Sequence, residues 1–200
     1  MSTAEPQYGL VAVGTSAGGY EALCHLLRLL PADFPVPIAV VQHRSRESDA
    51  LASLLQDCTQ LQVCEVEDKQ PAEPGFVYVA PPDYHLLMDD DGRFSLSTEG
   101  PVGYSRPSID VFFESAADTF GARVIGVVLT GANADGSRGL LTITARGGQA
   151  LVQDPDTAEV GVMPASARST VKLARVLTLE GIAERLIELA GIQSAERNPA

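Results

Sequence analysis

The chain has 200 residues, 45% of them hydrophobic and 20% charged. A chain of this size fits one domain that buries roughly 70% of its unfolded surface, and the composition excludes a wholly disordered polypeptide. Fourteen Lys+Arg against 26 Asp+Glu leave a net charge of −12, a poor balance for gripping phosphate backbones, so nucleic acid is not an expected partner.

No apolar run approaches the ~20 residues of a membrane span, so direct membrane insertion is not expected. The first residues, MSTAEPQ, lack the basic and apolar regions of a signal peptide. Cys24, Cys58 and Cys64 are few, odd in number and without metal-type spacing. They read as reduced thiols of a cytoplasmic protein.

The first apolar run, Leu10–Val13, is closed by GTSAGG, after which Leu23, Leu26, Leu27 and Leu30 recur at helical spacing up to Pro31. A second run, Ile38–Gln42, breaks at His43-Arg44-Ser45, and Ser48 is placed to cap a helix carrying Leu51, Leu54 and Leu55. Leu61–Val66 and Phe76–Ala80 read as strands separated by Pro71, Pro74 and Gly75. Leu86–Met88 and Phe94–Leu96 flank Asp89-Asp90-Asp91-Gly92, which predicts a hairpin. From Ser108 the helical period returns in Ile109, Phe112, Phe113 and Ala116. Val124–Leu129 is a solid apolar strand, followed by TGANADGSRG and a helix through Leu140 and Leu141. Gly147-Gly148 then precedes a strand at Gln149–Gln153. Pro164 is placed to open a short helix, and Thr178 to cap a last one carrying Ile182, Leu186 and Leu189.

Strands that alternate with helices and are apolar throughout predict a parallel sheet covered on both faces, with the hairpin as the one antiparallel interruption. The expected fold is a doubly wound, Rossmann-like α/β domain spanning 1–200. Its core runs from about 8 to 190, and residues 1–7 and 194–200 read as loose tails.

Ligands of such sheets bind beyond the carboxyl ends of the strands. The residues there are Ser16 after the first strand, His43 after the second, and Asp135 after Val124–Leu129. A hydroxyl, an imidazole and a carboxylate are the components of a nucleophilic triad. Ser16 lies in Gly14-Thr15-Ser16-Ala17-Gly18, a G-x-S-x-G turn that exposes a hydroxyl at a helix start. A plain tight turn or a phosphate cradle would look similar, although neither G-x-G-x-x-G nor a P-loop lysine is present. His85 competes with His43 for the base role, and Asp154 competes with Asp135 for the acid. A lone histidine at a strand end is more often a packing residue than a catalyst. His25, inside the first helix, reads as structural or exposed, and Asp83 as a turn residue. The order Ser…His…Asp also differs from the Ser…Asp/Glu…His of α/β-hydrolases.

These residues lie within a set of longer motifs: GTSAGGYEAL (14–23), VVQH (40–43), VYVAPPDYHLLM (77–88), RPSIDVFFESAA (106–117), VVLTGANADGSRGL (127–140) and QDPDTAEVGVMP (153–164). Together they make the chain, from about Tyr8 to Leu189, resemble the catalytic domain of the chemotaxis protein-glutamate methylesterases of the CheB type. The resemblance implies hydrolysis of glutamate methyl esters on chemoreceptors, and in many members deamidation of receptor glutamines. It implies Ser16 as nucleophile, His43 as base and Asp135 rather than Asp154 as triad acid, with His85 left structural or lining the site. Ala17, Ala132, Asn133, Arg106 and His85 are expected to supply oxyanion donors or to line the substrate. Two departures are visible: many members have Thr where this chain has Ala17, and many read LTGMG where it has Leu129-Thr130-Gly131-Ala132-Asn133.

The receiver domain usual in the family does not precede the first strand here. The expectation is therefore a stand-alone member or an excised catalytic domain, with a methylated chemoreceptor as substrate and a separate receiver or regulatory protein as a further partner. No metal or organic cofactor is expected. Arg44, Arg46, Arg106 and Arg138 lie near the site motifs and are candidates for a basic patch facing an acidic receptor. The rival readings are a non-catalytic partner-binding module on the same fold and a small-molecule serine esterase.

Overall fold

The computed structural model describes residues 7–43 and 50–192. Seven strands form one sheet: β1 (Leu10–Thr15), β2 (Ile38–Gln42), β3 (Gln62–Glu65), β4 (Phe76–Val79), β7 (Val124–Val128), β8 (Gln149–Gln153) and β9 (Arg175–Leu177). Their order is β3-β4-β2-β1-β7-β8-β9, and every pairing is parallel. The hairpin β5 (His85–Met88) and β6 (Phe94–Ser97) forms a separate antiparallel pair. The helices are α1 (Gly19–Arg28), α2 (Leu51–Gln56), α3 (Ile109–Phe120), α4 (Ser137–Ala145), α5 (Val162–Thr170) and α6 (Leu179–Leu189).

The inner strands β1, β2, β4 and β7 are mostly apolar and buried because each face of the sheet has its own cover. Side chains alternate faces along a strand. Val11, Val13, Ile38, Val40, Ile125 and Val127 therefore pack with α1, α2 and α6. Leu10, Ala12, Ala39, Val41, Val124 and Val128 pack with α3, α4, α5 and the hairpin. The α3–sheet contact is close: a Cβ on Gly14 would lie 2.3 Å from Ile109 Cγ2.

Three expectations need correction. Cys24 and Cys58 are not free thiols but form a disulfide with their Cα atoms 5.1 Å apart, and only Cys64 is free. Both bonded cysteines are buried where α1 and the end of α2 cover the same sheet face, a proximity that residue counting does not reveal. The helix at Pro164 begins two residues earlier, at Val162. Proline is tolerated there because first-turn N–H groups have no intrahelical partner. Strand β9 was not expected from the sequence. It has three residues, none buried, and is held by pairing with β8 rather than by an apolar run. The Ser48 cap and most of the two tails lie outside the described residues. Among the described residues no helix is long and apolar enough to cross a membrane.

Candidate active site

The strand order places the switch point at β1, which pairs with β2 on one edge and β7 on the other. Thr15 is in register with Gln42, so Ser16 and His43 leave adjacent strands side by side, with His43 N–H donating to Thr15 O (3.1 Å). Ser16, Ala17, Gly18, Tyr20, Gln42 and His43 line one open cleft of about 440 Å³. Gly18 makes the turn into α1 possible, because it occupies the left-handed region at φ 74° and a Cβ there would also meet Glu159.

From β7 the chain passes through residues 129–136 and brings Asp135 Oδ2 to 2.8 Å from His43 Nε2. Both side chains are largely buried, His43 at 14% and Asp135 at 9% exposure. Asp135 also sits on the start of α3. Oδ1 accepts from Ser108 Oγ (3.0 Å), Asp110 N (2.9 Å) and Gly136 N (3.0 Å), and Oδ2 accepts from Ile109 N (2.8 Å). Burial alone pushes this carboxyl up. The His43 bond, the Asp110 and Ile109 N–H groups and the His43 charge outweigh it, and the net direction is down. An ionised carboxylate only accepts, so the shared proton resides on Nε2 and leaves Nδ1 as the acceptor nitrogen of the ring.

The other expected site residues divide. Ala17 and Ala132 are exposed, and among the described residues no hydrogen bond uses their N–H groups. Gly131 N–H, by contrast, is already bonded to Val160 O (2.9 Å). Asn133 Nδ2 lies 3.2 Å from His43 Nδ1. His85 does not line a cleft: it is 2% exposed, with Nε2 near Gly100 O (3.1 Å) and Nδ1 accepting from Ser108 N–H (3.2 Å). It braces the residue that caps α3. Arg106 is spent on Asp83 and on the carbonyls of Thr98 and Glu99, which ties down the loop before α3. Arg138 is paired with Glu114, whereas Arg44 and Arg46 lie outside the described residues. Asp154 accepts from Asp156 N–H (3.1 Å) and shapes its own turn. Among the described residues, no group of three or more His, Cys, Asp or Glu could hold a metal ion.

Two residues of the site were not singled out from sequence. Ser108 both caps α3, its Oγ accepting from Val111 N–H, and donates to Asp135. The Ser ahead of an apolar helical run was the available signal. Thr130 holds the nucleophile turn: its carbonyl accepts from Ser16 N–H (3.0 Å) and Thr15 Oγ1 (2.8 Å), and its hydroxyl donates to Ala17 O (2.9 Å). Only its position just past an apolar strand hinted at this.

Known proteins resemble this chain over nearly its whole length. A family profile described as CheB methylesterase matches residues 11–186. A Leptospira interrogans protein carrying the double name protein-glutamate methylesterase/protein-glutamine glutaminase is 46% identical over 183 residues, covering 91% of this chain and 95% of its own. The protein-glutamate methylesterase FrzG of Myxococcus xanthus is 41% identical over 184 residues, and the match covers 92% of this chain but 55% of FrzG. The crystal structure of the Thermotoga maritima CheB methylesterase catalytic domain superposes with a TM-score of 0.86 at 36% identity, covering 91% of this chain and 98% of that one.

Proposed function

The chain belongs to the CheB methylesterase family, and from that premise we propose that it is a serine hydrolase cleaving glutamate methyl esters on chemoreceptors. Ser16 Oγ attacks the ester carbonyl while its proton passes to His43 Nδ1, the nitrogen left open by the Asp135 bond. The developing oxyanion is held by the N–H groups of Ala17 and Ala132. Collapse breaks the bond to the methoxy oxygen, which takes the proton from His43 and leaves as methanol. Water then attacks the acyl-enzyme with His43 again as base, releasing a glutamate carboxylate and restoring Ser16. The same steps on a glutamine side chain release ammonia, in keeping with the double name of the Leptospira relative.

The observation that carries this reading is the 2.8 Å contact between His43 and Asp135 beside a cleft that also contains Ser16. A receptor carrying labelled methyl esters should release labelled methanol with the wild type and none above background with Ser16→Ala. An active-site serine probe should label only the former. Turnover by Ser16→Ala near the wild-type rate would sink the proposal. A wild type that binds the receptor without labelling or turnover would point to a docking module.

A further inference from the structure

We propose that Asn133 is a positioning residue that keeps His43 from acting as a base until the cleft is engaged. The inference rests on the serine-hydrolase reading and deepens it. Nε2 of His43 is taken by Asp135, so the in-plane lone pair of Nδ1 is the place where the Ser16 proton must go. That lone pair is already met by Asn133 Nδ2 at 3.2 Å. Among the described residues no hydrogen bond joins Ser16 Oγ to His43.

The orientation of the Asn133 amide is set by its other end. Asn133 Oδ1 accepts from Asp135 N–H at 3.1 Å. A flipped amide would put its NH2 against that N–H, donor against donor, so the group facing His43 has to be the donor. One lone pair serves one donor well, and the amide and the Ser16 hydroxyl therefore compete for Nδ1. The ring is held at both nitrogens, by Asp135 at Nε2 and by Asn133 at Nδ1. Asn133 is only half-buried, beside the exposed Ala132 and Ala134, so its side chain has room to swing away when a substrate enters. The LTGMG pattern places glycine at this position, where no side chain could do the same.

Two variants withdraw the donor from Nδ1. Asn133→Ala removes the whole amide. Asn133→Ser replaces it with a hydroxyl one bond shorter than the amide nitrogen, which can still accept from Asp135 N–H and preserve the turn. Ring ¹⁵N spectra of the histidine-labelled enzyme, with His43→Gln for assignment, should show the Nδ1 resonance move in both variants while Nε2 stays bonded. A net hydrogen bond corresponds to roughly a 2- to 10-fold change in population. Inactivation of Ser16 by a small fluorophosphonate should therefore accelerate by about that factor in both variants. An unchanged Nδ1 resonance in Asn133→Ser, or inactivation at or below the wild-type rate in both variants, would overturn the inference while leaving Ser16 as nucleophile. A wild type in which the fluorophosphonate never labels Ser16 would remove the hydrolase reading and this inference together.

Discussion

Replacing Asp135 by Asn tests the site where its geometry is tightest. The carboxylate uses both oxygens: Oδ1 accepts from Ser108 Oγ, Asp110 N and Gly136 N, and Oδ2 from Ile109 N and His43 Nε2. An amide keeps only one acceptor. If its oxygen takes the Oδ1 place, the new NH2 faces Ile109 N–H and the imidazole Nε2–H, both donors. His43 can adapt only by moving its proton to Nδ1, which removes the lone pair Ser16 needs and sets Nδ1–H against Asn133 Nδ2. Turning the amide round is worse, since the NH2 then faces three donors. In a serine protease the matching exchange lowers kcat about 10⁴-fold with geometry retained. Here the expected loss is about 10³–10⁴, or roughly 4–5.5 kcal/mol of transition-state stabilisation. The orphaned Ile109 N–H should further cost about 1–3 kcal/mol of fold stability. Methanol release and urea denaturation of Asp135→Asn separate the two effects. Ser108→Ala is the companion variant, expected to cost about 1 kcal/mol of stability through the lost cap while leaving kcat within a few-fold. An Asp135→Asn enzyme with kcat within an order of magnitude of wild type would refute the assignment of Asp135 as triad acid.

Asp154→Asn should leave kcat unchanged, because among the described residues its carboxylate bonds only within its own turn; a crippled Asp154 variant beside an active Asp135 variant would reverse the choice of acid. Cys58→Ser opens a cross-link with a sequence separation of 34, for which loop-closure entropy gives about 4 kcal/mol and a Tm lower by roughly 8–16 °C. Thermal melts with and without reductant check this, and a wild-type Tm indifferent to reductant would contradict the disulfide. Asp110 supplies a pH test. Burial pushes its carboxyl up, Gly139 N–H pulls it down, the Asp135 charge pushes it up again, and the net direction is up. A folded pKa above the unfolded one means that ionisation costs stability at neutral pH, and that the cost fades as pH falls through the folded value. Asp110→Asn should therefore compare best with the wild type at pH 7 and lose ground toward about pH 4. Urea melts giving a pH-independent difference, or one of opposite trend, would contradict this.

The sheet was legible because its inner strands are buried on both faces. Val124–Val128 and Ile38–Gln42 are continuous apolar runs with nothing else to be, and Thr178 announces α6 with a side chain that accepts from Gly181 N–H. Strand β9 was not legible, because an edge strand of three half-exposed residues owes its form to its neighbour. Ser16 and His43 stood out as candidates because each directly follows an apolar strand. Chain order did not choose His43 over His85, or Asp135 over Asp154; both choices came from family resemblance.

The sequence by itself determined the alternation of strands and helices, the apolar runs that require two covered faces, and the polar residues standing at the strand ends. Those are local properties, set by periodicity and turn chemistry. Only the tertiary structure decided that Asp135 reaches His43 across 92 positions, that Asn133 meets the other ring nitrogen, and that Cys24 finds Cys58. Such contacts depend on strand order and on how the helices pack over each face, and no spacing along the chain encodes the distance between two loops that only the sheet brings together.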